Sequence, residues 1–166
     1  MSNVDSVNFN IAFAFAMAFE DPKCQCVIVP DVGGHAISGI NSAAFPAEYA
    51  VIADASPSAR ALMVRNFYLD HFWNRWLESL HDIELAKRVF DAGINMGAET
   101  AVRVLQKALN IKEDGAWGPN TLGTANSASN AVGLVIAARV AHYQDIVAKH
   151  PDKAVYLDEW LARARK

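Results

Sequence analysis

Two carboxylates near the start of the chain bracket a short loop. Glu20 closes the apolar run IAFAFAMAFE, and Asp31 sits in VPDVGGHAISGI. A carboxyl group in the last turn of a helix faces the negative end of the helix dipole. Apolar neighbours such as Phe13, Ala16 and Met17 would also strip water from it. Both effects favour the protonated form, which is what a general acid needs near neutral pH. The same residue is also what a core helix shows where it surfaces, and composition alone leaves both readings open. Asp31 lies beside Gly33 and Gly34, where the backbone can turn tightly or approach a ligand. On such a loop a carboxylate could orient a water, or serve as an ordinary turn residue bonded to nearby amides.

Other residue sets carry weaker signals. Phe67, Tyr68, Phe72, Trp73 and Trp76 crowd one helical stretch, with Tyr68, Phe72 and Trp76 on one face. Such a stripe is a core face or a platform for sugar rings, and Tyr68 and Trp73 are its best candidates for a cleft. Asp91 and Asn95 are neighbours on one face of an otherwise apolar helix, either a buried polar bridge or the wall of a site. Cys24 and Cys26 are too close in sequence for an unstrained mutual disulfide, and no further Cys or His completes a zinc set. They read as two reduced thiols, and the chemistry calls for no metal or cofactor.

Positioning these groups needs a folded domain, and the composition provides one: 166 residues, 52% hydrophobic and 20% charged, with no low-complexity tract. A net charge of -3 gives no basic footprint for nucleic acid or an anionic membrane. The apolar stretch from Phe9 to Phe19 is about half the length of a membrane span and lacks the basic start of a secretory signal, so it reads as a core helix of a protein made in the cytoplasm. Apolar spacing is helical almost throughout, which predicts a mainly α fold. Helices are expected from about Asn8 to Glu20, from Ser56-Pro57 through Trp76, over Ile83–Met96 before Gly97, over AETAVRVLQKALNI, and over about 128–149 and 154–165. Residues 23–41 form either a short β-hairpin or an irregular loop. Asp114-Gly115 and Gly118-Pro119 mark tight turns.

In order and spacing these pieces resemble family 108 of the glycoside hydrolases, N-acetylmuramidases of bacteria and phages with a C-terminal region assigned to peptidoglycan binding. The family's Glu at the end of the first helix matches Glu20, and its Asp-x-Gly-Gly loop leading to Gly-Ile matches Asp31, Gly33, Gly34, Gly39 and Ile40. Its aromatic motif matches Tyr68, Phe72 and Trp73, and its Asp-x-x-x-Asn-x-Gly matches Asp91, Asn95 and Gly97. Its Leu-Gln and Asp-Gly-x-x-Gly-Pro-x-Thr signature matches Leu105, Gln106, Asp114, Gly115, Gly118, Pro119 and Thr121, and its terminal Trp-Leu-x-Arg matches Trp160, Leu161 and Arg163. The chain departs from the pattern directly after the acid, where Asp21-Pro22-Lys23 replaces Gly-Gly-Tyr, and again at Ala36-Ile37, where the family has Thr-Asn.

The resemblance implies a lysozyme-like helical core over 1–97 and a peptidoglycan-binding helical region over 98–166. It implies a muramidase with Glu20 and Asp31 as catalytic residues, and with His35, Ser38, Tyr68, Trp73, Asp91 and Asn95 holding substrate. Peptidoglycan glycan strands are the expected partner, with neither nucleic acid nor membrane insertion. The site of action is the cell wall in the periplasm, reached after lysis or export through a holin or secretion system, as in a prophage endolysin. The departures around Glu20 motivate an alternative, a peptidoglycan-binding or regulatory protein on a muramidase scaffold. An all-α interaction module without a saccharide role is the third reading.

Overall fold

A computed structural model describes residues 6–166. The chain is mainly α-helical, with nine α-helices and one three-stranded sheet among the described residues. It folds as two compact units, one ending at Asn74 and the other running Arg75–Lys166.

The first unit begins with α1, Val7–Glu20, whose start is fixed by the Ser6 hydroxyl accepting from the Phe9 amide at 3.0 Å. Two antiparallel hairpins follow, resolving the stretch that sequence left as hairpin or loop. Strand β1, Ile28–Asp31, pairs with β2, Gly34–Ile37, which pairs with β3, Ile40–Asn41. Ser38 and Gly39 link β2 to β3 with φ of 46° and 81°. Positive φ at both central residues is the mark of a type I′ hairpin turn, which matches the natural strand twist.

Helix α2, Pro46–Asp54, has Pro at its first position, and α3 covers Pro57–Phe72. Arg60 of α3 donates to the carbonyls of Ile52 and Ala53 at the end of α2 and to that of Cys26, tying the loop after α1 to both helices. The core of this unit is aromatic: Phe9 lies 5.8 Å from Trp73, and Phe13 lies 5.7 Å from Tyr68, centroid to centroid.

The long second helix expected from sequence is broken. Helix α3 stops at Phe72, Trp73 is extended, and α4 covers only Arg75–Glu78. The extended residue lets the Trp73 indole sink to 2% exposure against Phe9, so burial of a large ring overrides helix continuity.

The second unit is a helical bundle. Helix α5, Ile83–Met96, starts at Asp82, whose carboxylate accepts from the Glu84 amide, and ends at Gly97 with φ 89°. It packs on α6, Ala98–Ala108, and both pack on α8, Ala131–Lys149. Between them α7 covers Pro119–Ser127, and a 3-10 turn, Pro151–Tyr156, leads into α9, Leu157–Arg165. The boundary expected at 97/98 falls inside this unit, between two helices that pack together. Helix α8 is long and apolar enough to cross a membrane by length and composition, but its Arg139 and Tyr143 are buried in polar bonds to α5. Those bonds tie one face of it to α5.

Candidate functional site

The end of α1 places Glu20 half-buried, and the β2–β3 turn closes over it. A Cβ built on Gly39 would stand 2.4 Å from Glu20 Oε2 and 2.7 Å from the Tyr68 hydroxyl. Carboxylate and phenol therefore converge on the one face of the turn that lacks a side chain. Tyr68, 1% exposed, donates its hydroxyl proton to the Ser38 carbonyl at 2.7 Å. This locks the turn onto α3.

Asp21, directly after the acid, holds the turn from its other side. Its carboxylate accepts from the amides of Cys26 at 2.7 Å and Gln25 at 3.0 Å, and from the Ser38 hydroxyl at 2.8 Å. Burial alone would raise the Asp21 pKa. The Cys26 and Gln25 amides, the Ser38 hydroxyl and the Lys23 amide outweigh it and hold the group below the usual carboxylate range. Sequence reasoning missed this residue because its partners lie four, five and seventeen positions away. The available signal was an Asp just past a helix end, where a carboxylate can collect loose amides.

Asp31 lies at the opposite end of β2, paired with Gly34. It is exposed, and its carboxylate accepts from the Val32 amide at 2.7 Å and the Asn41 side chain at 2.8 Å. Asn41 also accepts from the amides of Ala43 and Ala44 and donates to the Val32 carbonyl, so it fixes both hairpins to the start of α2. His35 is exposed on β2, with its amide bonded to the Ser42 hydroxyl.

The first unit thus brings Glu20, Ser38 and Tyr68 together and sets Asp31 and His35 towards the far end of the same hairpin. Ser38 is 5% exposed with its hydroxyl engaged by Asp21, and the Tyr68 and Trp73 rings are enclosed by aromatic neighbours. Ser38 and Tyr68 enter the site through the turn they hold rather than through an open face, and Trp73 belongs to the core against Phe9.

Asp91 and Asn95 belong to the second unit. Asp91 is fully buried and accepts from Arg139 at 2.7 Å and from Arg163 at 2.8 Å. Asn95 accepts from the Tyr143 hydroxyl, which in turn accepts from Arg139 Nε at 3.0 Å. Together they form a polar bridge binding α5, α8 and α9. No group of three or more potential metal ligands occurs among the described residues.

Residues 100–165 match the family model described as "Predicted Peptidoglycan domain". This part of the chain is of a peptidoglycan-associated type. Among solved structures, the chain is similar to Brucella abortus SagA at 19% identity, with a TM-score of 0.64 over 94% of this chain and 92% of that one. That likeness concerns the fold. No curated protein matches the sequence.

Within the matched segment, the Leu-Gln and Asp-Gly signature works as a fold element. Gln106, 1% exposed, donates to the Asp114 carboxylate, the Ala116 carbonyl and the Thr121 hydroxyl, and accepts from the Gly115 amide. One buried amide therefore ties residues 114–116 to Thr121 in the first turn of α7.

Proposed function

We propose that the protein is a peptidoglycan hydrolase that cleaves the β-1,4 bond between N-acetylmuramic acid and N-acetylglucosamine. The observation that carries this reading is the seat of Glu20: a carboxyl group at a helix end, half-buried, converging with the Tyr68 hydroxyl on the side-chain-free face of Gly39. Glu20 gives its proton to the leaving glycosidic oxygen. Asp31 stands at the other end of β2, whose four residues span ~10 Å. From there it acts on a water or on the positive charge developing at the anomeric carbon. Glu20 ends α1 beneath the β2–β3 turn and Asp31 ends β1, so each group is carried on regular backbone, which suits positioning. The peptidoglycan-associated C-terminal segment supports the choice of substrate and, with it, action at the cell wall.

A binding or regulatory role on the same scaffold is the second reading. It is favoured by the Ser38 hydroxyl being held by Asp21 and by the enclosed rings of Tyr68 and Trp73, which leave these groups little to offer a sugar. One experiment separates the two. Purified parent and Glu20→Gln proteins are incubated with peptidoglycan, and reducing ends and turbidity are followed. The hydrolase reading expects the variant to be slower by ~10²- to 10⁴-fold, the usual worth of a general acid. Equal rates would remove Glu20 from the role. Sedimentation of the parent with peptidoglycan without release of reducing ends would establish the binding role instead.

A further inference from the structure

The second unit carries two depressions on the face made by α6, α8 and the segment leading into α9, with volumes of 310 and 170 Å³. Both are lined by Thr100 and His142, so they join into one trough. At one end stand Asn95, Lys153 and Trp160, and at the other Arg103 and Lys107. In a chain with a net charge of -3 this is a local excess of cations. Arg103 is paired with Glu99 at 2.8 Å, whereas neither Lys107 nor Lys153 has an ion pair among the described residues. Glu113 is the acid in the lining, and its backbone carbonyl accepts from Arg103.

The walls are as specific as the charge. Trp160 is stacked between Tyr143, at 5.2 Å and 27°, and Tyr156, at 5.7 Å and 24°. This column fixes the indole with its edge in the trough, and Tyr156 keeps 48% of its surface exposed. The Asn95 oxygen is taken by the Tyr143 hydroxyl, which leaves the amide NH₂ to donate. Ammonium groups, an amide donor and a hydroxyl within a few hundred cubic ångströms suit a small amphipathic anion, and the open face of an aromatic ring packs well on sugar C–H groups. A polyanion such as nucleic acid would need a longer basic track.

We propose that this trough is a recognition site for the peptide-bearing muramic acid unit of the wall: the acylated sugar packs on the exposed Tyr156 ring that ends the column beside the trough, and the carboxylates of its stem peptide reach Lys107 and Lys153. The inference rests on the wall-directed reading above and adds the site and the ligand's chemical class. His142, between the two ends, serves as its reporter. Burial lowers its pKa, Lys107, Lys149 and Arg139 lower it further, and Asp145 opposes them, so an arriving carboxylate should raise it.

The test uses the full chain and a Lys107→Glu/Lys153→Glu variant, with thermal unfolding as the check that both are folded. Each is sedimented with intact peptidoglycan sacculi and with sacculi stripped of stem peptides by an amidase. The parent should bind intact sacculi about tenfold or more tightly than the variant does, and stripping should remove that advantage. Added muramyl dipeptide should shift the NMR signals of His142 and Trp160 and raise the His142 pKa. Should parent and variant bind intact sacculi equally, or should the parent bind stripped sacculi as well as intact ones, this site assignment is overturned while wall association stands. Unmoved His142 and Trp160 signals overturn it too. If the parent binds no sacculi at all, both the site and the wall-directed reading fall.

Discussion

The carboxylate of Glu20 occupies the space a side chain would take at Gly39. With φ at 81°, Gly39 is in the left-handed region, and a Cβ there would meet Glu20 Oε2 at 2.4 Å and the Tyr68 hydroxyl at 2.7 Å. Glycine is required twice, once by the backbone and once by the acid it accommodates. A Gly39→Ala protein should therefore lose ~1–3 kcal/mol of stability from the strained backbone. On the proposed hydrolase reading, the rate of peptidoglycan cleavage should drop by ~10²-fold or more, because Glu20 must move aside by about an ångström. Denaturant unfolding and peptidoglycan turbidity, measured on the same sample, check the two effects. A variant that is destabilised yet lyses at the parental rate would show that the seat of Glu20 is not what sets activity.

Asp21 makes stability depend on acid pH in a defined direction. Its pKa in the folded protein is depressed, with burial opposing and the Cys26 and Gln25 amides and the Ser38 hydroxyl prevailing. A depressed carboxylate contributes stability above its unfolded pKa of ~3.9 and loses it as pH falls through the lower folded value. At neutral pH the parent should be more stable than Asp21→Asn, and the gap should close below about pH 4. Glu84 and Asp114 are lowered as well, so the parent's own acid transition is a composite. Thermal unfolding of both proteins across that range isolates Asp21 by difference. A gap that stays constant down to acid pH contradicts the clamp.

Much of the scaffold was readable from sequence, and the failures have physical causes. Periodicity placed α1 and α5 almost to the residue, with Gly97 marking the end of α5, while the caps Ser6 and Asp82 that fix their starts emerge only from the structure. Helix α7, PNTLGTANS, carries little intrinsic helical preference and forms where Thr121 and Ala125 are buried. Helix α2 gave only Pro46 and Glu48 as signs of a start, and its end is sealed by Arg60 from another helix. At the site, the shared helical face of Phe13 and Glu20 was legible from spacing. The enclosure of Trp73 by Phe9 was not, nor was the Asp21–Ser38 bond across seventeen residues, since both arise only when the hairpin and α3 close on α1.

Asp91 should prove a structural residue of high cost. It is fully buried, bonded to Arg139 at 2.7 Å and to Arg163 at 2.8 Å, and it joins α5 to α8 and α9. Replacing it by Asn leaves two guanidinium groups short of a counter-charge, and Arg139 Nη2 already lacks a bonding partner. Breaking a buried pair from one side typically costs ~3–5 kcal/mol. Urea unfolding of Asp91→Asn should show that loss, whereas an Asp91→Asn/Arg139→Met double variant should recover part of it by removing one orphaned charge. A single variant as stable as the parent would mean the network is not holding the bundle.

Gln106 offers a comparable test within the segment of peptidoglycan-associated type. Its amide donates to Asp114, Ala116 and Thr121 and accepts from Gly115, so one side chain ties the loop to α7. The Asp114 pKa is held down by the Gln106 bond first and the Ala116 amide second. A Gln106→Leu substitution keeps the volume roughly and deletes all four bonds, orphaning the Thr121 hydroxyl in a buried site. The expected cost is ~1–3 kcal/mol, with the loop loosened more than the bundle. Gln106→Glu is the sharper variant, since its carboxylate can still accept from Gly115 but confronts Asp114 without a donor. It should be less stable than the parent at neutral pH and regain stability in mild acid, where a shared proton restores one bond. Hydrogen exchange at the Gly115 and Ala116 amides, followed against pH, reports both effects, and protection that stays at the parental level in both variants would show that the loop is held by something other than Gln106.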